Sequence, residues 1–363
     1  MCQLLGMSCN VPTDFAFSFR GFRERGGKTD KHIHGWGVAF YEGSGCRCYI
    51  DLEPAATSPI ANLICNYPIK TLNLIAHVRL ATQGKVQLEN VHPFQREMWG
   101  QYWVFAHNGD VPRAQYIIRE GKEAGLQRRY SPVGDTDSEA CFCLFLNDLM
   151  ETYPDGYPGL PAIYRTVKKT WKGLCGAATE SGDSSHVGGS DPSVPEHQQP
   201  IFNFLMSNGE TLLAGCWPGS RPGSITWNSL FYTVREFPFP QVSLSDCDYT
   251  VDFAKLAKPK DRVTVLATAP LTKNEQWKEM AKGELSAFVH GLAYTSEEEC
   301  QKYEEAETLA LLASNRTEND AAVEDSLAGN RDASFPVVMP KHARAGATFE
   351  AAAAFGLPPT LSM

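Results

Sequence analysis

The order of strand-like and helix-like segments constrains the fold of this chain more than any other feature. Runs rich in aromatic and aliphatic residues, bounded by Gly, Pro or Asn, predict strands at 2–7, 36–41, 47–51, 72–79 and 102–107, so the first hundred residues are predicted to be mostly sheet. Apolar residues at helical spacing follow from Ser138 and over 161–172. Strand signals return at 201–206, 211–216, 230–236 and 262–268. Sheet, then helices, then sheet again indicates two sheets with helices packed on their outer sides.

Two local signals mark element boundaries within this order. Asn208-Gly209, flanked by apolar runs, is typical of the tight turn of a β-hairpin. The segment Asp135-Thr-Asp-Ser-Glu139 places acidic and hydroxyl residues where a helix would begin, which predicts a capped helix start.

Composition excludes several classes of protein. The 363 residues include 43% hydrophobic and 21% charged residues, as in ordinary globular proteins. A net charge of -9 without a dense Lys/Arg run makes nucleic acid an unsuitable partner, and no apolar run is long enough to span a membrane. The cysteine number, 11, is odd, and the first residues have neither a basic nor a continuous apolar leader. We therefore predict a cytoplasmic protein with reduced cysteines.

The chain changes character at two places. Gly and Ser dominate from 176 to 190 and Pro, His and Gln follow, so we predict a mobile insertion at about 174–200. After Ser296 a charged helical stretch over 297–314 precedes a tail rich in Ala and Asn, and we predict that much of 296–363 is disordered. One folded domain is expected over 2–295.

Cys2 is the first candidate for chemistry. Methionine aminopeptidases remove Met1 when the second residue is small, which would give Cys2 a free amine beside its thiol. An α-amino group titrates at about 7.7–8.0 and a thiol at about 8.5, so the amine can accept the thiol proton near neutral pH. Taken alone, a cysteine at this position is better explained as a buried strand residue than as a nucleophile.

Three further motifs follow Cys2 in order. His77-Val-Arg79-Leu-Ala-Thr82 ends a predicted strand, His107-Asn108-Gly109-Asp110 ends another, and Gly134-Asp-Thr-Asp137-Ser-Glu139 opens a predicted helix. Each alone could be a strand end, a turn or a helix cap. Together with Cys2 they resemble the class II glutamine amidotransferases, a family of N-terminal nucleophile enzymes with H-x-R-x-A-T, H-N-G and D-[ST]-E motifs. The resemblance covers residues 2 to about 295 and is closest to the stand-alone bacterial-type members, with which the chain shares Asn10-Val-Pro-Thr-Asp14 and His92-Pro-Phe94.

The resemblance implies a fold and a set of roles. The expected fold is a four-layer α/β/β/α sandwich, an α+β architecture with Cys2 at the end of a central strand. Cys2 is the expected nucleophile, and Asn108 and Gly109 are expected to donate hydrogen bonds to the oxygen of the tetrahedral intermediate. Arg79 is expected to bind the α-carboxylate of the substrate, Asp137 its α-ammonium, and Thr82 to assist binding. His77 and His107 are expected to be packed rather than catalytic.

The chemistry needs neither a metal nor an organic cofactor. Cys46-x-Cys48 and Cys141-x-Cys143 lack the ligand spacing of common zinc sites, and His32-x-His34 lacks a third ligand. The chain departs from the biosynthetic members of the family at His34-Gly35-Trp36-Gly37, where an Arg-Gly-x-Asp pattern is common. Either Arg25 or Trp36 could take over the supporting role of that arginine.

Three functions remain open at this stage. The chain could release ammonia from glutamine for a separate synthase subunit, because the segment after Ser296 is too short and polar to be a synthase domain. It could instead hydrolyse another γ-glutamyl amide, as enzymes of ergothioneine or glutathione metabolism do. It could also bind γ-glutamyl compounds without catalysis if Met1 is retained.

Overall fold

The structure is a computed structural model that describes residues 2–82, 84–176, 200–221 and 223–327. Most of the predicted mobile insertion, residues 177–199, lies outside the described residues, as does the end of the predicted tail, residues 328–363. The predicted division at 295/296 stays a prediction.

The strands and helices alternate in blocks along the chain. The strands are β1 (Gln3–Asp14), β2 (Trp36–Glu42), β3 (Gly45–Asp51), β4 (Lys70–Val78), β5 (Phe94–Met98), β6 (Gln101–Asp110), β7 (Ile201–Ser207), β8 (Thr211–Cys216), β9 (Phe231–Arg235), β10 (Gln241–Ser243), β11 (Thr250–Asp252), β12 (Val263–Ala267), β13 (Lys278–Glu279), β14 (Glu284–Val289) and β15 (Leu292–Tyr294). The helices are α1 (Ala16–Glu24), α2 (Pro59–Asn66), α3 (Pro112–Glu123), α4 (Asp137–Thr152), α5 (Leu160–Leu174) and α6 (Glu297–Leu327). Short 3₁₀ turns lie at Leu88–Asn90 and Phe253–Lys255.

Two large antiparallel sheets form the centre of the molecule. The first has the order β13-β9-β12-β1-β4-β2-β3, with β1 in its middle. The second has the order β15-β14-β8-β7-β6-β5. Strands β10 and β11 form a separate ribbon.

Three hydrophobic clusters show how the layers stack. The first joins the aromatic side chains of α1 to one face of the first sheet, where Phe19 packs against Trp36. The second joins α4 and α5 to one face of the second sheet, where Phe142 stacks on Phe105. The third lies between the sheets and includes Leu4, Ile75, Ala106, Leu205 and Leu212. The architecture is therefore an α/β/β/α sandwich, as predicted.

Strand periodicity explains how one strand serves two layers. Side chains alternate across a strand, so Leu5 and Met7 of β1 point to the helical side and Leu4 points to the other sheet. Gly6 also faces the second sheet, since a Cβ there would lie 2.9 Å from Cδ1 of Leu205. The absence of a side chain at residue 6 thus lets the sheets approach closely.

The predicted strands and the two central helices are present, and the hairpin turn lies between β7 and β8 with Gly209 at φ +96°. The predicted C-terminal helical stretch, 297–314, is helical as far as Leu327. Helices α1 and α2 were not predicted within the sheet-rich first hundred residues. The aromatic residues of α1 favour strands by intrinsic preference, and burial of Phe19 and Phe22 against the first sheet overrides it. None of the helices among the described residues has the length and apolar character needed to cross a bilayer.

Candidate active site

The predicted site residues meet where strand ends of the two sheets come together. Gln3 of β1 pairs with Val78 of β4, so Cys2 and Arg79 are brought side by side just beyond the ladder. A cavity of about 30 Å³ lies there, and Cys2, Arg79, Thr82, Gly109 and Asp137 all line it. Residues more than 130 positions apart in the chain are thus assembled around one small volume.

Asn108 is the one predicted site residue that does not line this cavity. Its side chain is buried in β6, and neither its amide oxygen nor its amide nitrogen has a hydrogen-bond partner in the described structure. Its backbone oxygen accepts a hydrogen bond from Nδ2 of Asn203 at 3.5 Å. A buried amide without partners beside Gly109 is energetically costly, and a donor role toward a bound oxygen would offset that cost.

The Cys2 thiol lies in an environment that opposes ionisation. Its Sγ lies 3.6 Å from the backbone oxygen of Leu80, to which the thiol donates. Burial raises the pKa of the Cys2 thiol, while the positive charges of Arg79 and Arg221 act in the opposite direction. The thiol is therefore protonated at neutral pH and needs a nearby base to become a nucleophile.

Arg79 is held in place through its backbone and its guanidinium. Its N–H donates to the Gly35 oxygen at 2.8 Å, and its own carbonyl accepts from His34 N at 3.0 Å. Nη1 donates to the Lys85 oxygen at 3.0 Å and closes the loop that contains Thr82. Burial lowers the pKa of Arg79, and the neighbouring Cys2 and Asp135 counteract that effect.

The segment that departs from the family pattern supports this loop. The Ala81 N–H donates to Nδ1 of His34 at 2.9 Å, so His34 fixes the backbone between Arg79 and Thr82. Gly35 has φ +105°, a conformation that favours glycine, and a Cβ there would lie 2.8 Å from the Asp51 oxygen. The His34-Gly35 pair therefore positions the Arg79 loop.

Of the two residues considered as replacements for the missing arginine, Arg25 lies near Cys2. Its guanidinium donates to Oε1 of Gln3 at 3.4 Å and to the oxygens of Ala269 and Pro270 at 3.0 and 2.7 Å. Trp36 is instead buried in the core between the first sheet and α1. Arg25 thus braces the residue that follows Cys2.

The close packing of the backbone around residue 109 requires a glycine there. A Cβ at residue 109 would lie 1.7 Å from the Ile201 oxygen and 2.4 Å from Nε2 of His107. The same residue pairs with Phe202 across β6 and β7. Only glycine permits the strands to approach this closely at the cavity wall.

The acidic motif contributes one residue that lines the cavity and one that stabilises the neighbouring loop. Asp137 is the first residue of α4, after the Thr136 cap, and its Oδ2 accepts from the Val111 N–H at 2.6 Å. Glu139 points away, and its Oε2 accepts from the backbone of Val133 and Gly134 at 3.0 and 2.7 Å. Asp137 therefore faces the cavity, while Glu139 fixes the loop before the helix.

A group of buried histidines lies beneath the cavity. Burial lowers the pKa of His107 and places the pKa values of His77 and His92 well below the usual range, so all three are neutral at pH 7. The rings of His77 and His92 lie 4.2 Å apart between centroids, and Nδ1 of His107 is 2.8 Å from the Ser138 hydroxyl. His92 and His107 line the cavity, whereas His77 does not.

Two residues of the site were not predicted from the sequence. Arg221, in the loop between β8 and β9, lines the cavity, and its Nη2 lies 3.4 Å from both the Gly109 oxygen and Oδ2 of Asp110. Asn90 ties the Arg79 loop to the α4 entry by donating to Lys85 and Asp135 oxygens at 3.1 and 2.6 Å. Arg221 lies in an irregular loop and Asn90 at the end of the 3₁₀ turn Leu88–Asn90, and no sequence spacing connects either residue to the site.

A larger cavity, of about 430 Å³, lies elsewhere, between α3, α4 and α5. None of the predicted site residues lines it. Among the described residues there is also no cluster of three or more His, Cys, Asp or Glu side chains arranged to hold a metal ion. The convergence of thiol, arginine, aspartate and glycine identifies the smaller cavity as the candidate active site.

Comparisons with known proteins show the family to which the chain belongs. A family model described as "Glutamine amidotransferases class-II" matches residues 1–179 and 194–310. A Haemophilus influenzae protein named "Putative glutamine amidotransferase" is 42% identical over 291 residues, covering 80% of this chain and 85% of that protein. The Escherichia coli protein "Putative glutamine amidotransferase YafJ" is 39% identical over 291 residues, covering 80% of this chain and 98% of that protein. A crystal structure titled "predicted glutamine amidotransferase" from Pseudomonas aeruginosa is 34% identical, with TM-score 0.55, covering 81% of this chain and all of that chain.

Proposed function

This chain belongs to the class II glutamine amidotransferases, and from that premise we propose that it hydrolyses the side-chain amide of glutamine with Cys2 as the nucleophile. The observation that supports the proposal most strongly is the convergence of Cys2, Arg79, Gly109 and Asp137 on one cavity. The proposal requires that Met1 be removed. The released ammonia would pass to an acceptor that a separate synthase subunit provides.

The charges around the cavity suit the α-carbon end of glutamine. Glutamine presents one carboxylate and one ammonium there. Arg79 supplies a positive charge for the carboxylate, and Asp137 supplies a negative charge for the ammonium. A guanidinium can form two parallel charge-assisted hydrogen bonds with a carboxylate, which fixes its orientation as well as its position. We assign Arg79 to the carboxylate, Asp137 to the ammonium, and the Thr82 hydroxyl to additional contact with the bound amino acid.

The raised pKa of the Cys2 thiol explains why a base must accompany it. Once Met1 is removed, the α-amine of Cys2 itself is the nearest basic group, and its pKa of about 7.7–8.0 leaves roughly a tenth to a sixth of it unprotonated at about pH 7, a fraction that rises toward pH 8. The buried histidines are less suitable, because their lowered pKa values make them weak bases.

The reaction then proceeds in two halves. The α-amine accepts the thiol proton, and Sγ attacks the side-chain carbonyl carbon, whose oxygen becomes negatively charged. Gly109 N–H and the Asn108 amide donate to this oxygen, with each donor contributing roughly 2–4 kcal/mol. The carbon–nitrogen bond breaks as the α-ammonium protonates the departing ammonia. Water then hydrolyses the γ-glutamyl thioester to glutamate and restores the thiol.

The size of the cavity bears on how substrate enters. About 30 Å³ is the space of one or two water molecules, which is far less than glutamine occupies. Binding therefore requires that the walls move, and the exposed loop of Thr82 is the wall with the least packing. The Asn108 amide would turn toward the cavity in the same step.

Two other functions are compatible with the same cavity. The chain could act alone on another γ-glutamyl amide, such as one related to ergothioneine or glutathione. If Met1 were retained, the cavity could bind γ-glutamyl compounds without turning them over. A cytoplasmic location, where small γ-glutamyl compounds are available, suits each of these functions.

The proposed function is tested by glutamate release from glutamine. Intact-mass analysis first establishes that the purified chain begins at Cys2. The protein is then assayed with and without diazo-oxo-norleucine, a glutamine analogue that alkylates the nucleophile. The variant Cys2→Ala is compared with Cys46→Ala, which removes a partly exposed cysteine outside the site.

We expect Cys2→Ala to abolish both turnover and labelling, and Cys46→Ala to retain both. Labelling without glutamate release would point to a different γ-glutamyl substrate. Neither labelling nor release, from protein with a confirmed free Cys2, would refute the nucleophile assignment. Purification of the native complex would then test for the ammonia-accepting subunit.

A further inference from the structure

Arg221 is a second positive charge at the cavity, beyond the charge that the α-carboxylate of a substrate needs. Its guanidinium has loose contacts, at 3.4 Å to the Gly109 oxygen and 3.4 Å to Asp110 Oδ2, and its Nε is buried without a hydrogen-bond partner in the described structure. Its positive charge also opposes the rise that burial causes in the pKa of the Cys2 thiol. The guanidinium thus pairs with Asp110 at 3.4 Å and keeps one N–H, at Nε, without a partner in the described structure beside the cavity that Arg221 lines.

The loop that contains Arg221 is built to hold it there. Two backbone hydrogen bonds between Gly219 and Asn228, at 3.1 and 2.9 Å, close the base of the loop. Nδ2 of Asn203 donates to the Asn228 oxygen at 3.2 Å and ties this base to β7. Arg221 lies two residues beyond the base, so its position is set by the second sheet.

Gly109 and Asp110 locate Arg221 relative to a bound substrate. If Gly109 N–H binds the γ-carbonyl oxygen, as the proposed function requires, then the neighbouring guanidinium lies at the carbonyl and leaving-group end. Arg79 is held instead by the loop ending at Lys85, through its contact with the Lys85 oxygen. Free glutamine has nothing but an NH₂ group at its leaving end and gives Arg221 no anion to bind.

We propose that Arg221 binds a carboxylate on the leaving group, which adds γ-glutamyl amino acids and peptides to glutamine as substrates of Cys2. This inference rests on the proposed function of Cys2 and specifies its substrate class. The γ-glutamyl carbon–nitrogen bond breaks, the α-ammonium of Cys2 protonates the departing amine, and water releases glutamate from the thioester. The products are glutamate and an amino acid or shortened peptide.

Matched substrates test this assignment. γ-Glutamylglycine and γ-glutamylglycinamide differ in a single feature, the charged carboxylate of the leaving group, and glutamine provides the small neutral reference. We expect wild-type kcat/KM to be at least about tenfold higher for γ-glutamylglycine than for γ-glutamylglycinamide, the effect typical of a charge-assisted hydrogen bond.

Variants then assign the preference to Arg221. Arg221→Gln should bring the ratio of the two kcat/KM values close to one, and Arg221→Lys should give an intermediate ratio because it keeps the charge but loses the fork. Arg47→Gln, which removes an exposed arginine paired with Glu42 at the far end of β2, should keep the wild-type ratio. Thermal melting of each variant confirms that it is folded.

The outcomes separate the two proposals. A wild-type ratio near one, or an equal loss on all three substrates in Arg221→Gln, would overturn the carboxylate assignment while leaving Cys2 as the nucleophile. An equal loss would show instead that Arg221 acts through the thiol. If none of the substrates is turned over by protein with a free Cys2, the proposed function itself fails.

Discussion

Gly109→Ala is the substitution whose effect the structure specifies most sharply. The added Cβ would lie 1.7 Å from the Ile201 oxygen, where real contacts of this kind are longer than 3.0 Å. Relief requires a shift of more than about 1 Å between β6 and β7, because the opposing atom belongs to the backbone of a central strand. The same shift would displace the Gly109 N–H from the oxygen that it is proposed to stabilise.

The size of the expected loss of stability in Gly109→Ala follows from this contact with the backbone. Overpacking in a core costs about 1–3 kcal/mol when side chains can move, and a clash with a paired strand should lie at or above the upper end, at about 3 kcal/mol. For a domain of this size such a loss lowers the melting temperature by roughly 6–12 °C. Loss of an oxyanion donor should also lower kcat by about 100-fold or more.

Melting by circular dichroism and glutamate release together test this reasoning. Gly45→Ala is the matched control, because the Cβ there would meet only the Glu42 oxygen, at 3.3 Å, in an exposed hairpin. We expect the control to stay within about 1 kcal/mol of wild type. Wild-type melting and turnover in Gly109→Ala would show that the strands at the cavity are not packed as described.

Three further predictions concern neighbouring groups. Arg79→Lys should raise KM for glutamine about tenfold or more with a smaller change in kcat, and an unchanged KM in steady-state assays would remove Arg79 from carboxylate binding. His34→Ala should lower stability by about 1 kcal/mol and weaken substrate binding, since Ala81 N loses its acceptor; denaturant unfolding and KM would show both. The folded pKa values of His77 and His92 lie below the unfolded value of about 6.5, so the unfolded chain binds more protons in acid. Stability is then complete above about pH 7.5 and falls on acidification, with a slope that approaches about 1.4 kcal/mol per pH unit for each histidine only below about pH 5.5, until the lowered folded pKa is reached. Melting temperatures that stay constant from about pH 7.5 to 5.5 would contradict this.

The layered architecture could be predicted because strand and helix periodicities are local. The strand around Ala106 and the helix after Thr136 can each be recognised from about ten consecutive residues. The capping residue of α4 can also be identified in the sequence. Helix α1 was missed because its phenylalanines favour strands, and burial against the first sheet decides their conformation. Local preference and tertiary packing disagree there, and packing prevails.

The candidate site was predictable to the extent that its residues lie in contiguous motifs. Cys2, Arg79, Gly109 and Asp137 meet as the motif resemblance implied, but the meeting depends on register between strands that no local pattern reveals. The position of Arg221 in the site could not be predicted from the sequence, because a single arginine in an irregular loop has the same sequence pattern as any solvated arginine. Its position is set by the Gly219 and Asn228 pairing, which is a tertiary contact.

The division of the site between two sheets links catalysis to the core between them. Cys2 and Arg79 adjoin strands of the first sheet, whereas Gly109 and Arg221 are held by the second. Packing between the sheets, together with hydrogen bonds such as those from the Tyr41 hydroxyl to the Tyr102 and Ser207 oxygens, sets the distance from the thiol to Gly109, and the close approach of Gly6 to Leu205 is part of that packing. Because packed interiors transmit displacements instead of absorbing them, we expect a change of side-chain volume between the sheets to move Cys2 relative to Gly109. A misplacement near 1 Å can cost about 100-fold in rate, so under the proposed function Gly6 and the leucines between the sheets would affect turnover as well as stability.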